Sequence, residues 1–220
     1  MQKLDRHSVP APPCLVSSEQ RWRYSDLRGR EKDEIRAALF VIQKERCAYC
    51  ERRTGTSPAD GHVEHFRKQA NNHELELSWS NLFWSCVDES TCGKHKDKCD
   101  RPLGSGRQAS FIFDDLIDPS VDDPHDYLMF LPDGTVRPRE GLSAAGERRA
   151  LETMRVFQLA DSPFLRKSRE DAAKPYVKAV DSLLRAGSGT LNQYLQSVQA
   201  DIDSAPFSSV IRQYLKGILD

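Results

Sequence analysis

Cys47-Ala48-Tyr49-Cys50-Glu51 opens a stretch that runs through Gly61-His62-Val63-Glu64-His65-Phe66 and Trp79-Ser80-Asn81-Leu82 to Cys86 and Cys92-Gly93-Lys94-His95-Lys96. Two separated cysteine pairs bracket a Glu-His pair and an asparagine. Two thiolates spaced Cys-x2-Cys can reach one metal ion from a single turn, and Cys86-x5-Cys92 is a looser second pair. Together they predict a closed site of four thiolates on Zn²⁺, structural in role because it leaves no open coordination position. Cys99 is an alternative fourth ligand; Cys92 is preferred because Cys99 follows a charged run. Unrelated buried thiols are the plainer reading, since free cysteine is often a small core residue.

The rest of the composition bounds the answer. The chain has 220 residues, 38% hydrophobic and 30% charged, enough for one or two domains with a modest core. A formal net charge of −1 excludes a protein that grips nucleic acid through a broad basic surface. No stretch approaches the roughly 20 apolar residues of a membrane span, and Met1 to His7 lack the apolar run of a signal peptide. The expectation is a cytoplasmic protein without a membrane partner. In a reducing compartment, five of six cysteines gathered between Cys47 and Cys99 point to metal rather than disulfides.

Upstream, Pro10, Pro12 and Pro13 make residues 8–18 an expected extended lead-in. Ile35, Ala38, Leu39 and Ile42 then recur at helical spacing, so a helix from about residue 25 to 46 delivers the chain to Cys47. The turn-rich segment Arg52 to Asp60 predicts a short strand pair meeting across it, with His62 to His65 on the second strand. Alternation puts His62 and Glu64 on one face of that strand. A short helix is expected over Cys92 to Lys98, and Arg101 to Gly106 closes the module.

Farther on, Phe111-Ile112-Phe113 and Tyr127 to Leu131 read as strands, and Pro132-Asp133-Gly134-Thr135 as a hairpin turn returning through Val136. From about Ala145 three apolar stripes mark helices: Tyr176, Val180, Leu183 and Leu184; Leu191, Tyr194, Leu195 and Val198; and Phe207 through Ile218. They require either a core of their own or another protein to pack on.

The order Cys-x2-Cys, Glu-His, Asn-Leu, Cys…Cys and a following His resembles the HNH (ββα-metal) endonucleases. Glu64-His65 stands in the place of their acidic-His pair, Asn81 in that of the middle Asn, and His95 is the nearest match to the final His. More narrowly, His65-Phe66-Arg67, Trp79 to Leu82, Cys92-Gly93-x-His95-Lys96, the Pro-rich start and Leu116-Ile117-Asp118-Pro119 resemble the PtuB-like HNH component of Septu and retron-type antiphage systems. The resemblance implies an α+β fold: a zinc-stapled ββα-metal module with an N-terminal helix, then a β-hairpin and a C-terminal helical region. Its parts are a lead-in at 1–24, a nuclease module at 25–106, and a region at 107–220 that docks a partner. It further implies a PtuA-like ATPase as that partner and a role in antiphage defence.

The chemistry of the residues is consistent with phosphodiester hydrolysis of nucleic acid, DNA in the first place. That reaction needs a deprotonated water and a cation to stabilise charge on phosphate and leaving oxygen. His65, titrating near neutrality, is the candidate general base, with Asn81 accepting a hydrogen bond from one ring nitrogen to orient it. Glu64 and His95 are expected to hold one Mg²⁺ or Mn²⁺, and Arg67, Lys68, Lys94 and Lys96 to bind flanking phosphates. This scheme requires the rings of His65 and His95 to reach one scissile group. His62 and His73 are assigned structural or exposed positions, with His62 able to serve the metal if the strand bends. Trp79 and Trp84 are assigned to the core.

Three positions depart from the family pattern. Gly93 occupies the site where many HNH proteins carry His or Asn, Glu64 replaces the commoner Asp, and Lys68-Gln69 replaces Pro-Lys. Two rival readings follow: a zinc-ribbon module with a degenerate site that only binds nucleic acid or protein, and a free-standing nuclease acting on RNA without an ATPase.

Overall fold

The computed structural model describes residues 1–16, 23–69, 72–99, 102–103, 107–108, 111–186 and 191–219. They form a mixed α+β fold of helices and three two-stranded antiparallel sheets. The lead-in is not wholly extended. Pro13–Val16 makes one helical turn, α1, because proline's fixed torsion suits a first helical position. Residues 17–18 of the lead-in and most of the closing segment 101–106 lie outside the described residues.

Helix α2 spans Gly29–Ile42, shorter at both ends than the expected helix. The Glu31 carboxylate accepts the Arg28 N–H at 2.7 Å, placing negative charge at the helix start. Its apolar face is Ile35, Leu39 and Ile42. Beyond it Lys44 and Glu45 adopt left-handed backbone (φ 51° and 62°), which turns the chain into the first cysteine pair. Gln43, buried at this corner, donates to the carbonyls of Arg46 and Trp84 and accepts the Trp84 N–H, each at 2.8 Å. The helix end is thereby pinned to the sheet.

Strand β1 (Gly61–His65) pairs with β2 (Leu82–Cys86), in register from Gly61 opposite Cys86 to His65 opposite Leu82. This corrects the expectation of a pair across the 52–60 loop, where only an isolated Arg46–Arg53 bridge forms. Gly61 is required here: a Cβ would come within 2.4 Å of the Trp84 ring. Helix α3 (Cys92–Cys99) follows and packs on β2. The order strand, strand, helix therefore brings both cysteine pairs and the Glu-His pair together.

Residues 102–103 and 107–108 form a minimal pair, β3 and β4. Phe111 to Phe113 is not a strand; Phe113–Asp115 makes a 3-10 turn instead, with no strand in position to pair with it among the described residues. The hairpin does form, from β5 (Leu128–Phe130) and β6 (Val136–Pro138). Its turn uses left-handed Gly134 (φ 80°) and the Asp133 carboxylate, which accepts the Thr135 N–H at 2.9 Å. Helices α4 (Ala144–Phe157), α5 (Pro163–Arg185), α6 (Leu191–Ser204) and α7 (Ser208–Leu219) complete the chain. Ser143 and Ser162 cap the first two, accepting from Gly146 and Leu165 N–H.

One apolar core runs through both halves. Tyr49, between two cysteines, is fully buried and stacks on Phe157 of α4, with ring centroids 4.1 Å apart. Phe66 and Phe83 join the same cluster as Val180, Val210, Ile211 and Leu215. The stripes of α5 and α7 thus pack on the chain's own core. Each such buried aromatic or large aliphatic side chain contributes about 1.5–3 kcal/mol. The far end of the α5 stripe does not share this burial, since Leu184 is exposed. No helix among the described residues is long and apolar enough to cross a membrane.

Candidate metal centre and adjoining cleft

Cys47 and Cys50 are presented by a tight turn in which the Cys47 N–H bonds the Arg52 carbonyl (2.9 Å) and left-handed Glu51 donates back to Cys47 (3.1 Å). Cys86 ends β2, and Cys92, with φ 56°, begins α3. The four sulfurs lie within 4.8 Å of one another, and all four residues are buried. Cys50 and Cys86 Sγ are 4.0 Å apart, near the edge of about 3.8 Å that a tetrahedron of Zn–S bonds of ~2.3 Å requires. Hydrogen bonding with Cys47 and Cys86 pushes the Cys50 thiol up, and burial does the same for Cys92. For Cys47 burial also pushes up, but hydrogen bonds from the other three thiols outweigh it and hold it well below the ordinary thiol value. Four soft sulfur donors converging at this spacing fit a bound metal ion such as zinc. Cys99 is outside it: partly buried, its sulfur faces the His95 ring at 3.4 Å.

Beside the cluster, a cleft of about 350 Å³ is lined by His62, Glu64, His65, Lys68, Asp97 and Tyr24 among others. Glu64 is almost wholly buried, and its two oxygens face different groups. Oε1 forms an ion pair with Lys96 Nζ at 2.6 Å, while Oε2 lies 3.4 Å from His62 Nε2. Burial alone would raise the Glu64 carboxyl, yet Lys96 holds it below the usual range; burial alone would lower Lys96, yet Glu64 and Asp97 hold it above. Both are ionised. Neither nitrogen of the His62 ring has a hydrogen-bond partner, although both are shielded from solvent.

His65 also lines the cleft. Its Nε2 is 2.9 Å from both the Glu76 carbonyl and the Gln69 amide. The Glu76 carbonyl only accepts and calls for a proton on Nε2, whereas the Gln69 amide nitrogen only donates and calls for a lone pair there; with the Gln69 amide turned so that its oxygen faces the ring, Nε2 carries the proton and Nδ1 is left basic. Burial lowers the imidazole pKa, which keeps the ring neutral at pH 7. Tyr24 meets it edge-on at 5.2 Å.

Several expected site residues take other positions. His95 does not reach the cleft: its Nδ1 bonds the Val156 carbonyl of α4 at 2.9 Å. The reason is helical phase. Gly93, Lys96 and Asp97 of α3 lie toward Glu64 and the cleft, whereas His95 and Cys99, four residues apart, turn to the other side. The rings of His65 and His95 therefore face different surroundings, and their sharing of one scissile group is withdrawn.

Asn81 does not touch the His65 ring either. Its Oδ1 accepts the Arg67 N–H (2.7 Å), and its amide donates to the carbonyls of Arg67 and Leu75 (3.0 Å each). It fixes the loop that leaves β1, and so the backbone after His65. Lys96, expected on the surface, is 1% exposed and also donates to the His65 and Phe66 carbonyls at 2.7 and 3.2 Å. Of the other expected phosphate contacts, Lys68 lines the cleft, Arg67 pairs with Asp114 at 2.5 Å, and Lys94 lies 3.8 Å from Glu89.

Position 93 explains one departure from the family pattern. A Cβ there would come within 2.5 Å of Glu64 Oε2, so a larger residue would collide with the carboxylate as it stands. His62 lies on the same strand face as Glu64, its Nε2 3.4 Å from Oε2. Strand alternation already signalled it; nothing in the sequence signalled Asp97 or Gln43. Compared with models of protein families and with curated proteins, the chain matches none.

Proposed function

We propose that this protein is a metal-dependent endonuclease of the HNH kind, cutting nucleic acid at the cleft beside a zinc-bound four-cysteine centre. The observation that carries the reading is the unpartnered His62 ring 3.4 Å from an ionised Glu64 oxygen, in the cleft that also holds neutral His65. Glu64 and His62, with Asp97 at the rim, are the residues that would hold Mg²⁺ or Mn²⁺. When bound, such an ion polarises a phosphoryl oxygen and stabilises charge on the leaving oxygen. His65 takes the proton of the attacking water at Nδ1, and Asn81 holds the loop behind it. The resemblance adds an ATPase partner and antiphage defence to the proposal, to be sought by co-purification with a co-expressed neighbouring ATPase.

A second reading has its own observation. Lys96 already supplies a cation to Glu64 Oε1, as in a module that binds without cutting. Plasmid and RNA cleavage with Mn²⁺ or Mg²⁺, together with Mn²⁺ titration, separates the two. For the nuclease, cleavage is abolished by EDTA and reduced roughly 10²–10⁴-fold in His65→Ala, with fold and zinc content retained. A fully active His65→Ala protein ends the catalytic assignment. Absence of Mn²⁺ binding that depends on Glu64 favours the binding module.

A further inference from the structure

We infer that a nucleic-acid strand reaches the His62–Glu64 cleft along a groove beside β1 whose far end is held by Lys32 and Arg36 of α2. This rests on the nuclease reading and names how its substrate is seated. A second depression, of about 270 Å³, is lined by Lys32, Arg36, Trp84, Tyr24, His62 and Val63. The last three also line the catalytic cleft, so the two depressions adjoin along β1. Among the described residues, strand β1 pairs on one edge only, with β2.

Lys32 and Arg36 stand one turn apart on α2 and line the second depression, while the acid and imidazole groups line the first together with Lys68. Cations in the depression next to a hydrolytic centre suit phosphates beside a scissile one. Lys32 lies over the Tyr24 ring at 5.4 Å and reaches the Ser25 carbonyl at 3.4 Å; Arg36, 21% exposed, pairs with Asp33, which is 65% exposed and so screened by water, and reaches the Lys32 and Thr56 carbonyls at 3.4 Å each. With a net charge of −1, attraction for a polyanion must come from a local track of this kind. Lys96, buried behind Glu64, cannot provide it.

The test is the salt dependence of binding a fluorescein-labelled single-stranded oligonucleotide to the full chain. Binding is read by anisotropy in a His65→Ala background, with and without Lys32→Ala and Arg36→Ala. Losing two phosphate contacts lowers the slope of log K against log salt by about 1.4. Lys32→Arg with Arg36→Lys restores it, and zinc content and Mn²⁺ affinity stay at the parent values. An unchanged slope in the double-alanine variant overturns the groove, as does a parent that binds no oligonucleotide. Cleavage is measured separately on the unsubstituted chain. Cutting with an unchanged slope would leave the nuclease reading standing without the groove, whereas a lowered slope without any cutting would do the reverse.

Discussion

The four-cysteine cluster, held by the 47–50 turn, the end of β2 and the start of α3, and the carboxylate cleft, held by β1 and α3, share a helix, yet their donors are satisfied in opposite ways. In the cluster, four like groups converge and have chiefly one another as partners, a set that could hold a metal ion. In the cleft, one oxygen of Glu64 is already neutralised by a lysine from the chain itself, and only the other is turned toward His62. The difference teaches that ligand spacing is enough to anticipate a centre whose donors have no rival partner. A centre whose donors can pair internally depends on which side of a helix each neighbour occupies.

The comparison breaks first at the cluster. Cys47→Ser should release the metal and unfold the chain, because structural zinc supplies on the order of 10–16 kcal/mol of folding free energy. Metal analysis and thermal melting check this, and an unchanged melt with full metal content would dissolve the contrast. Next, Lys96→Met leaves Glu64 buried without its ammonium and should cost about 3–5 kcal/mol in urea unfolding. Asn81→Ala leaves the Arg67 N–H and two carbonyls without their partner and should cost about 1–3 kcal/mol by the same measurement. The smallest effect sharpens the cleft itself. His62→Ala should weaken Mn²⁺ binding by roughly tenfold, the scale of losing a group that shapes a metal site, while His95→Ala leaves it unchanged. The opposite pattern in a titration would return the metal to His95.

Much of this was legible. The Cys-x2-Cys turn, the strands holding His62 to His65 and Leu128 to Phe130, and the helices beyond Ala145 follow from spacing or periodicity, and the choice of Cys92 over Cys99 from the charged run before Cys99. What escaped had a common cause. His95, Lys96 and Asp97 are consecutive, and which of them faces β1 is set by how α3 packs between β2 and α4, a tertiary matter. Lys96 read as surface because lysine usually is; its burial follows from the carboxylate and carbonyls waiting for it. Asn81 carried no sign of whether its amide would meet a ring or a loop. Phe111 to Phe113 had a strand's composition, but composition does not supply a neighbouring strand to pair with.

Tyr49 has a practical consequence. Its ring lies against Phe157, more than a hundred positions away, on the far side of the boundary that the motifs alone would draw near residue 106. A fragment cut at that boundary would wet the faces of Tyr49, Phe66 and Phe83 that α4 and its neighbours now keep dry. Biochemistry on this chain should therefore use it uncut, because a trimmed version would report on its own collapse rather than on the chemistry of the cleft.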